Sequence, residues 1–244
     1  MPITAYKAAF SGEPRVLITL EIPDDAVTNM GRKDIVNKQT AKHRTNKAIV
    51  RQITDALGNK YEVAYSINNK KLTYKLGEVI EEPEFNMDME EVCASGIHFF
   101  LEKECAELYY TYSLKDDIWK SWYDNGQLYR ETRYNNEEDK LKVWYKNGNL
   151  EYEYNYKIEK ENRWYEDSNP MYEYNYKNGE KNGVQREWYK NGQLFCEHNY
   201  ENGEQIGLQI EWYYDGNIRY IIQKGVSDNG DLINEFIHVD RIRC

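Results

Sequence analysis

The chain has little of what a cross-linked, membrane-spanning or hydrolytic protein requires. Its four cysteines, Cys93, Cys105, Cys196 and Cys244, are scattered over 244 residues and form no dense framework. A disulfide scaffold is excluded, and a reducing compartment is expected. No apolar run approaches the ~18 residues that span a bilayer. The start, Met1-Pro2-Ile3-Thr4-Ala5-Tyr6-Lys7, lacks the charged-then-apolar pattern of a secretion signal. A soluble, cytoplasmic placement is therefore expected. Gly-x-Ser-x-Gly, a phosphate-binding glycine loop and His-Glu-x-x-His are all missing, so no catalytic residues are assigned and no cofactor is called for. Cys93, His98 and Cys105 are the only close Cys/His group; without a second short-spaced pair they predict no zinc site.

Positive charge is scarce except in one place. The formal net charge is −10, which argues against duplex nucleic acid as the partner. Seven bases (Arg32, Lys33, Lys38, Lys42, Arg44, Lys47, Arg51) stand against the single acid Asp34 between Arg32 and Arg51. That stretch reads as a solvated loop and helix face, and Arg32, Lys33, Lys42, Arg44, Lys47 and Arg51 are its candidates for touching an acidic partner. Ten acids face only Lys103 between Glu78 and Glu107, and pairs such as Glu81-Glu82 read as solvated surface.

What the chain does have is an internal repeat. Trp122-Tyr123-Asp124-Asn125-Gly126-Gln127-Leu128 recurs as Trp144-Tyr145-Lys146-Asn147-Gly148-Asn149-Leu150. It returns, worn, as Trp164-Tyr165-Glu166-Asp167-Ser168-Asn169-Pro170-Met171, then from Trp188 to Leu194 and from Trp212 to Ile218. Copies 20 to 24 residues apart describe stacked small units and shift the expectation from catalysis to binding. Tyrosine follows the same division: 19 of 23 lie between Tyr109 and Tyr220. Three parts are expected: 1–110, five repeats over 111–220, and a capping segment over 221–244, since end repeats must protect an open edge.

Asn-Gly and Asp-Gly flanked by strand formers predict hairpins with two-residue type I′ turns at Asn125-Gly126, Asn147-Gly148, Asn191-Gly192 and Asp215-Gly216. Asp167-Ser168-Asn169-Pro170 predicts a wider loop. A tyrosine twelve residues after the tryptophan (Tyr134, Tyr156, Tyr176, Tyr200) is expected to stack with the tryptophans from unit to unit. Trp122, Trp144, Trp164, Trp188 and Trp212 are taken as the repeat core, because each hairpin has few aliphatics to bury. Tyr152, Tyr154, Tyr172 and Tyr174 alternate along their strands and are the candidate interaction surface; parity puts Glu151, Glu153 and Asn155 on the opposite face.

Before the repeats, Arg15–Ile22, Ala48–Ile53, Glu62–Ser66 and Leu72–Tyr74 read as strands, and Leu101–Tyr110 as a helix rich in Glu, Lys, Ala and Leu. The fold class expected is an α+β N-terminal domain followed by an all-β array of antiparallel hairpins. His98, after Gly96-Ile97 and before Phe99-Phe100, reads foremost as a strand-end histidine, with a nucleotide-binding or catalytic role as the alternative.

Trp-Tyr-x-Asn-Gly-x-Leu followed by Tyr-x-Asn-Gly-x-x-x-Gly resembles the MORN-variant repeat over roughly residues 118–220. The resemblance implies a β-hairpin array and a binding role. Cys93-Ala94-Ser95-Gly96-Ile97-His98-Phe99-Phe100, with Lys42-His43-Arg44-Thr45-Asn46-Lys47-Ala48 and Tyr74-Lys75-Leu76-Gly77-Glu78, is similar to an uncharacterised domain of giant viruses and phages. That family often carries Cys where this chain has His43. Together the resemblances imply a giant-virus MORN-repeat protein of the infected host cytoplasm or the virion. Its expected work is non-enzymatic: an interaction or scaffold protein, itself for example a virion or minor capsid component, that binds a protein partner such as other virion proteins. The alternative is an enzyme or nucleotide-binding module around His98 with the repeats as its adaptor.

Overall fold

Residue alternation lays down the first sheet. In Arg15–Ile22 (β2) the side chains of Val16, Ile18, Leu20 and Ile22 are buried and those between them are not, the period of a half-buried strand. Ile3–Phe10 (β1) pairs with it antiparallel from Ile3↔Ile22 to Phe10↔Arg15. The computed structural model describes residues 1–67, 72–109, 118–133, 139–226 and 232–237. By its contacts the chain divides into two units, 1–129 and 130–244.

In the first unit the remaining strands are His43–Thr45 (β3), Lys47–Thr54 (β4), Val63–Tyr65 (β5), Thr73–Lys75 (β6), Val79–Glu81 (β7), Ile97–Phe99 (β8) and Ile118–Trp122 (β9). Four of them join β1 and β2 in one six-stranded sheet in the order β6-β5-β1-β2-β4-β7, while β3 and β8 pair separately. The core lies on this sheet: Ala5, Ile18, Leu20, Val50, Ile53 and Tyr74 are fully buried together with Ile97 and Phe99 of β8. A second cluster joins Phe100 to Cys105 and Ala106, with Tyr6, Leu17 and Trp122 against it.

This unit is β-rich and not the α+β expected. Among its described residues the one α-helix, α1, is the six-residue Lys103–Leu108, within the segment that composition marks as helical. The expected strands at Arg15–Ile22, Ala48–Ile53, Glu62–Ser66 and Leu72–Tyr74 are found as β2, β4, β5 and β6. The basic stretch holds no helix. It runs as turns into β3 and β4, and β-branched and apolar residues on alternate positions of β4 fit a pleated surface.

The second unit is built from Leu128–Arg133 (β10, whose first two residues belong to the first unit), Lys140–Trp144 (β11), Leu150–Asn155 (β12), Lys160–Trp164 (β13) and Pro170–Lys177 (β14). Glu180–Lys181 (β15), Gly183–Trp188 (β16), Leu194–Glu201 (β17), Glu204–Trp212 (β18), Ile218–Val226 (β19) and Leu232–Ile237 (β20) follow. Sequence neighbours pair antiparallel throughout, with β14 pairing β16 past the short β15. It is a meander of hairpins, as expected. The expected turn at 227–231, Tyr134 and Cys244 lie outside the described residues.

The hairpin turns fall at the predicted places but not in the predicted form. In the second copy Gly148 N donates to Tyr145 O at 3.0 Å and Tyr145 N to Asn149 O at 2.9 Å. Gly148 has φ +94, while Asn147 is absent from the positive-φ residues. This is a three-residue loop, a type I turn closed by a left-handed glycine. The asparagine is selected for another reason: its Oδ1 accepts the amide of Asn149 at 2.9 Å, and Asn125, Asp167, Asn191 and Asp215 do the same two residues on. The worn copy is not a wider loop. Ser168 takes the left-handed position at φ +70 and Ser168 N still bonds Tyr165 O. True type I′ geometry appears between hairpins, at Asn178-Gly179 (φ +52, +79) and Asn202-Gly203 (φ +49, +84). There the flanking residues, Lys177↔Glu180 and Glu201↔Glu204, pair directly across the turn.

From the second copy on, each copy is tied to the next through the tyrosine directly after the tryptophan, not through the one twelve residues on. Tyr145 Oη donates to Trp164 O at 2.8 Å, Tyr165 Oη to Trp188 O at 3.0 Å, and Tyr189 Oη to Trp212 O at 2.9 Å. Asn147, Asn169 and Asn191 add side-chain bonds to Glu166 O, Lys190 O and Tyr214 O. A bulge precedes each turn at Val143/Trp144, Arg163/Trp164, Glu187/Trp188 and Glu211/Trp212. The extra residue breaks simple parity: Glu151 reaches Arg163 at 2.7 Å, on the side of its neighbour Tyr152.

Candidate functional site

Two places collect chemistry, one in each unit. In the first, a cavity of about 370 Å³ is lined by Lys7, Lys42, Cys93, Ser95 and His98, with apolar walls that include Leu72 and Phe100. Lys7 stands between Ala5 and Ala9 on β1, sharing the face of two fully buried alanines. Its Nζ donates to His98 O at 3.2 Å and lies 5.7 Å from the centre of the Tyr74 ring. Burial, and then the charge of Lys42, bring its pKa down to about 8. Lys42 Nζ donates to Tyr109 Oη at 2.9 Å and is 3.8 Å from Cys93 Sγ. Burial opposes its charge, but Tyr109, Asp124 and Cys93 outweigh that and hold its pKa above the ordinary value.

His98 Nε2 faces Val92 O at 2.9 Å. A carbonyl only accepts, so Nε2 carries the proton of the neutral ring. Burial pushes its pKa down to about 4, helped by the charges of Lys42, Lys7 and Arg44. His98 lies on β8, as expected of an apolar strand, and is half-buried. Cys105 is buried in the second cluster, with burial raising its thiol to about 12, while Cys93 is exposed at the cavity.

The basic candidates do not form one surface. Arg32, Lys42 and Arg44 are buried, not solvated. Arg44 sends Nε to Glu91 O at 2.8 Å and Nη1 to Ser95 O at 3.3 Å, and its other guanidinium hydrogens to Asn86 O and Asp88 O. It thereby folds the 86–95 loop that lines the cavity. Arg32 donates to Lys42 O and Asp124 O, each at 2.8 Å, and pairs with Asp34. Lys47 pairs with Asp25 and Arg51 with Glu21, while Lys33 is exposed. A buried guanidinium needs several acceptors, and carbonyls from distant loops supply them, a need that composition does not show.

In the second unit Tyr152, Tyr154, Tyr172 and Tyr174 are all half-buried. The structure brings them to one face, where Tyr152 and Tyr172 flank Arg163, and Tyr154 and Tyr174 flank Glu161. The Tyr172 and Tyr174 rings stack at 4.4 Å. Glu161 accepts from Tyr172 at 2.7 Å and Tyr176 at 2.9 Å, and Glu187 accepts from Tyr174 at 2.6 Å. Burial first, then the carboxylate Glu161, raises Tyr152 to about 12. Trp122, Trp144, Trp164, Trp188 and Trp212 are each half-buried. Trp188 lines a groove of about 330 Å³ with Tyr165, Met171, Tyr172 and Phe195. Among the described residues both apolar core clusters lie at or before Trp122.

Comparison with known proteins finds two families along the chain. Residues 118–136, 140–157 and 181–202 match the MORN repeat variant, and residues 2–106 match a family of unknown function (DUF5758). The chain thus carries segments that match the MORN repeat variant after a region that matches a family of unknown function. It is 35% identical over 102 residues to an uncharacterized protein, L223, of Acanthamoeba polyphaga mimivirus. That match covers 39% of this chain and 63% of the relative, so the chain spans somewhat less than two thirds of the relative's length; it supports a giant-virus origin. Among the described residues no helix is long and apolar enough to cross a membrane.

Proposed function

We propose that this chain is a non-enzymatic interaction protein whose hairpin array binds another protein. The observation that carries the reading is the groove beside Trp188 on the hairpin sheet, lined by Tyr165, Met171, Tyr172 and Phe195. Aromatic and methionine side chains in such a setting are the usual anchors of protein interfaces. The adjoining Tyr152, Tyr154 and Tyr174 offer large rings at low conformational cost, and Glu161 and Glu187 already orient the hydroxyls of Tyr172 and Tyr174. The partner of this reading presents an apolar side chain to the groove and donors to the rim. A virion or minor capsid protein of the infected host cytoplasm is its concrete form.

The test is recovery of a specific partner from infected cells by the tagged full chain, followed by binding measurements with the purified pair. Tyr172→Ala with Tyr174→Ala should weaken binding by about 2–4 kcal/mol, while circular dichroism keeps its β signature. An unchanged affinity in the double variant, together with loss of the biological effect in His98→Ala alone, would move the function to the first unit and overturn the reading.

A further inference from the structure

The first unit carries a cavity that the array reading does not use. In a chain of net charge −10, its lining contains two lysines and not one carboxylate among the described residues. We propose that this cavity binds the phosphate group of a small organic molecule between the ammonium groups of Lys7 and Lys42.

The position of Lys7 is the first argument. It occupies the inward face of β1 between Ala5 and Ala9, where an aliphatic side chain would fold at lower cost. Among the described residues its ammonium makes one hydrogen bond, to His98 O, so two of its three donors remain available. Lys42 is the second. It is buried, yet its ammonium is turned to the same cavity and fixed by Tyr109 Oη. The charge of Lys42 raises the energy of the Lys7 cation, and one dianion placed against both offsets that cost. A phosphate monoester carries that charge on a single group, whereas a carboxylate brings half of it. The neutral His98 ring leaves the cationic balance to the lysines. Leu72, Ile67 and Phe100 supply apolar wall for the body of the ligand, and the volume of about 370 Å³ falls in the range of small-molecule sites.

The test uses the full chain and two aldehyde probes, pyridoxal 5′-phosphate and pyridoxal, which differ by the phosphate. The neutral lysine amine forms a C–N bond to the aldehyde carbon and water leaves. Added borohydride then delivers hydride to the imine, and peptide mapping reads the stable secondary amine. The phosphorylated probe should label Lys7 or Lys42 about tenfold faster than the exposed Lys146 and Lys190. Inorganic phosphate should suppress that labelling, and acetate at the same ionic strength should not. Lys42→Gln should abolish most of the rate advantage of the phosphorylated probe over pyridoxal at Lys7, a ratio that cancels the change in Lys7 basicity common to both probes. Equal labelling of Lys7 by both probes, or labelling that phosphate does not suppress, would show a reactive amine without a phosphate site and overturn the proposal. Protection by acetate as strong as by phosphate would overturn the ligand class. None of these readouts involves the repeats, so they stand or fall apart from partner binding by the array.

Discussion

The Arg32 guanidinium donates to the carbonyl of Asp124, 92 residues further along the chain, at 2.8 Å. Asp124 and Asn125 form the turn of the first repeat copy. Val36 N and Asn37 N donate to Asn125 O at 2.9 and 3.2 Å, and Lys42 N to Asp124 O at 3.2 Å. Asn125 is 3% exposed, whereas its counterparts Asn147 and Asn191 are exposed. One copy of the repeated phrase is thus absorbed into the first unit as a structural part, and the other copies stay outside it.

Gly126 should be the least replaceable glycine of the repeats. Its φ is +87 and an added Cβ would lie 2.1 Å from Asn37 O and 2.8 Å from Ala41 N. Gly179 has a similar φ of +79 and nothing within 4 Å. Gly179→Ala should cost about 1 kcal/mol through backbone strain alone. Gly126→Ala adds a backbone collision and should cost at least about 3 kcal/mol or prevent folding of the first unit. Denaturant unfolding of the two variants gives the comparison, and equal midpoints would refute it.

Arg44→Lys is expected to behave as a disruptive change. The guanidinium satisfies four carbonyls, on Asn86, Asp88, Glu91 and Ser95, and lies 4.8 Å from the centre of the Phe85 ring. An ammonium has three donors and no planar fork. A loss of about 3 kcal/mol is expected, with earlier proteolysis inside 85–96. A variant that melts with the parent would place Arg44 outside the loop's support.

Acid should weaken the first unit before it protonates the carboxylates. His98 has its native pKa pushed down to about 4 from an ordinary 6.5, so the unfolded chain binds a proton that the native chain does not. Its contribution is present above pH 6.5 and lost as pH falls to 4. His43, lowered mainly by burial, acts in the same direction. His98→Gln should flatten the fall in stability between pH 6.5 and 4 by up to about 3 kcal/mol. Parallel pH profiles for parent and variant would contradict the buried neutral ring.

The sign for Lys7 gives the mirror prediction at high pH. With its pKa lowered to about 8 from 10.5, the native chain releases this proton before the unfolded chain does. Lys7→Met should therefore be more stable than the parent at pH 7. The advantage should shrink as pH rises from 8 toward 10.5, and its full size is about 1–3 kcal/mol. A variant less stable than the parent at pH 7 would mean that the bond to His98 O outweighs the cost of the charge.

Tyr189→Phe removes the hydroxyl that reaches Trp212 O at 2.9 Å, and Asn191→Ala removes both the turn bond to Gln193 N and the bond to Tyr214 O. Each should cost about 0.5–2 kcal/mol. Hydrogen exchange should quicken most in β18 and β19. Even exchange along the array would show that these bonds do not couple the copies.

What the sequence determined by itself is local. The repeated Trp-Tyr-x-Asn-Gly phrase placed the hairpins and their turns, because a left-handed glycine, an asparagine that can bond the amide two residues on, and period-two strand formers act within a few residues. The same locality made β2, β4 and α1 legible. It could not tell which Asn-Gly pairs adopt type I′ geometry. That depends on whether the flanking residues pair directly, as Lys177 and Glu180 do, or a bulge intervenes, as at Val143/Trp144. Nor could it show that Arg32, Lys42 and Arg44 are buried, since a charge run looks solvated until distant carbonyls are known to surround it. The candidate cavity was decided wholly by tertiary structure. Lys7, Lys42, Cys93 and His98 are scattered along the chain, and the bridge of Tyr6 with Phe100, the pairing of β3 with β8 and the loop that Arg44 holds bring their side chains to one space. Alternation on β1 put Lys7 beside two alanines, which was the one trace of that site in the chain; its meaning rested on contacts across more than eighty residues.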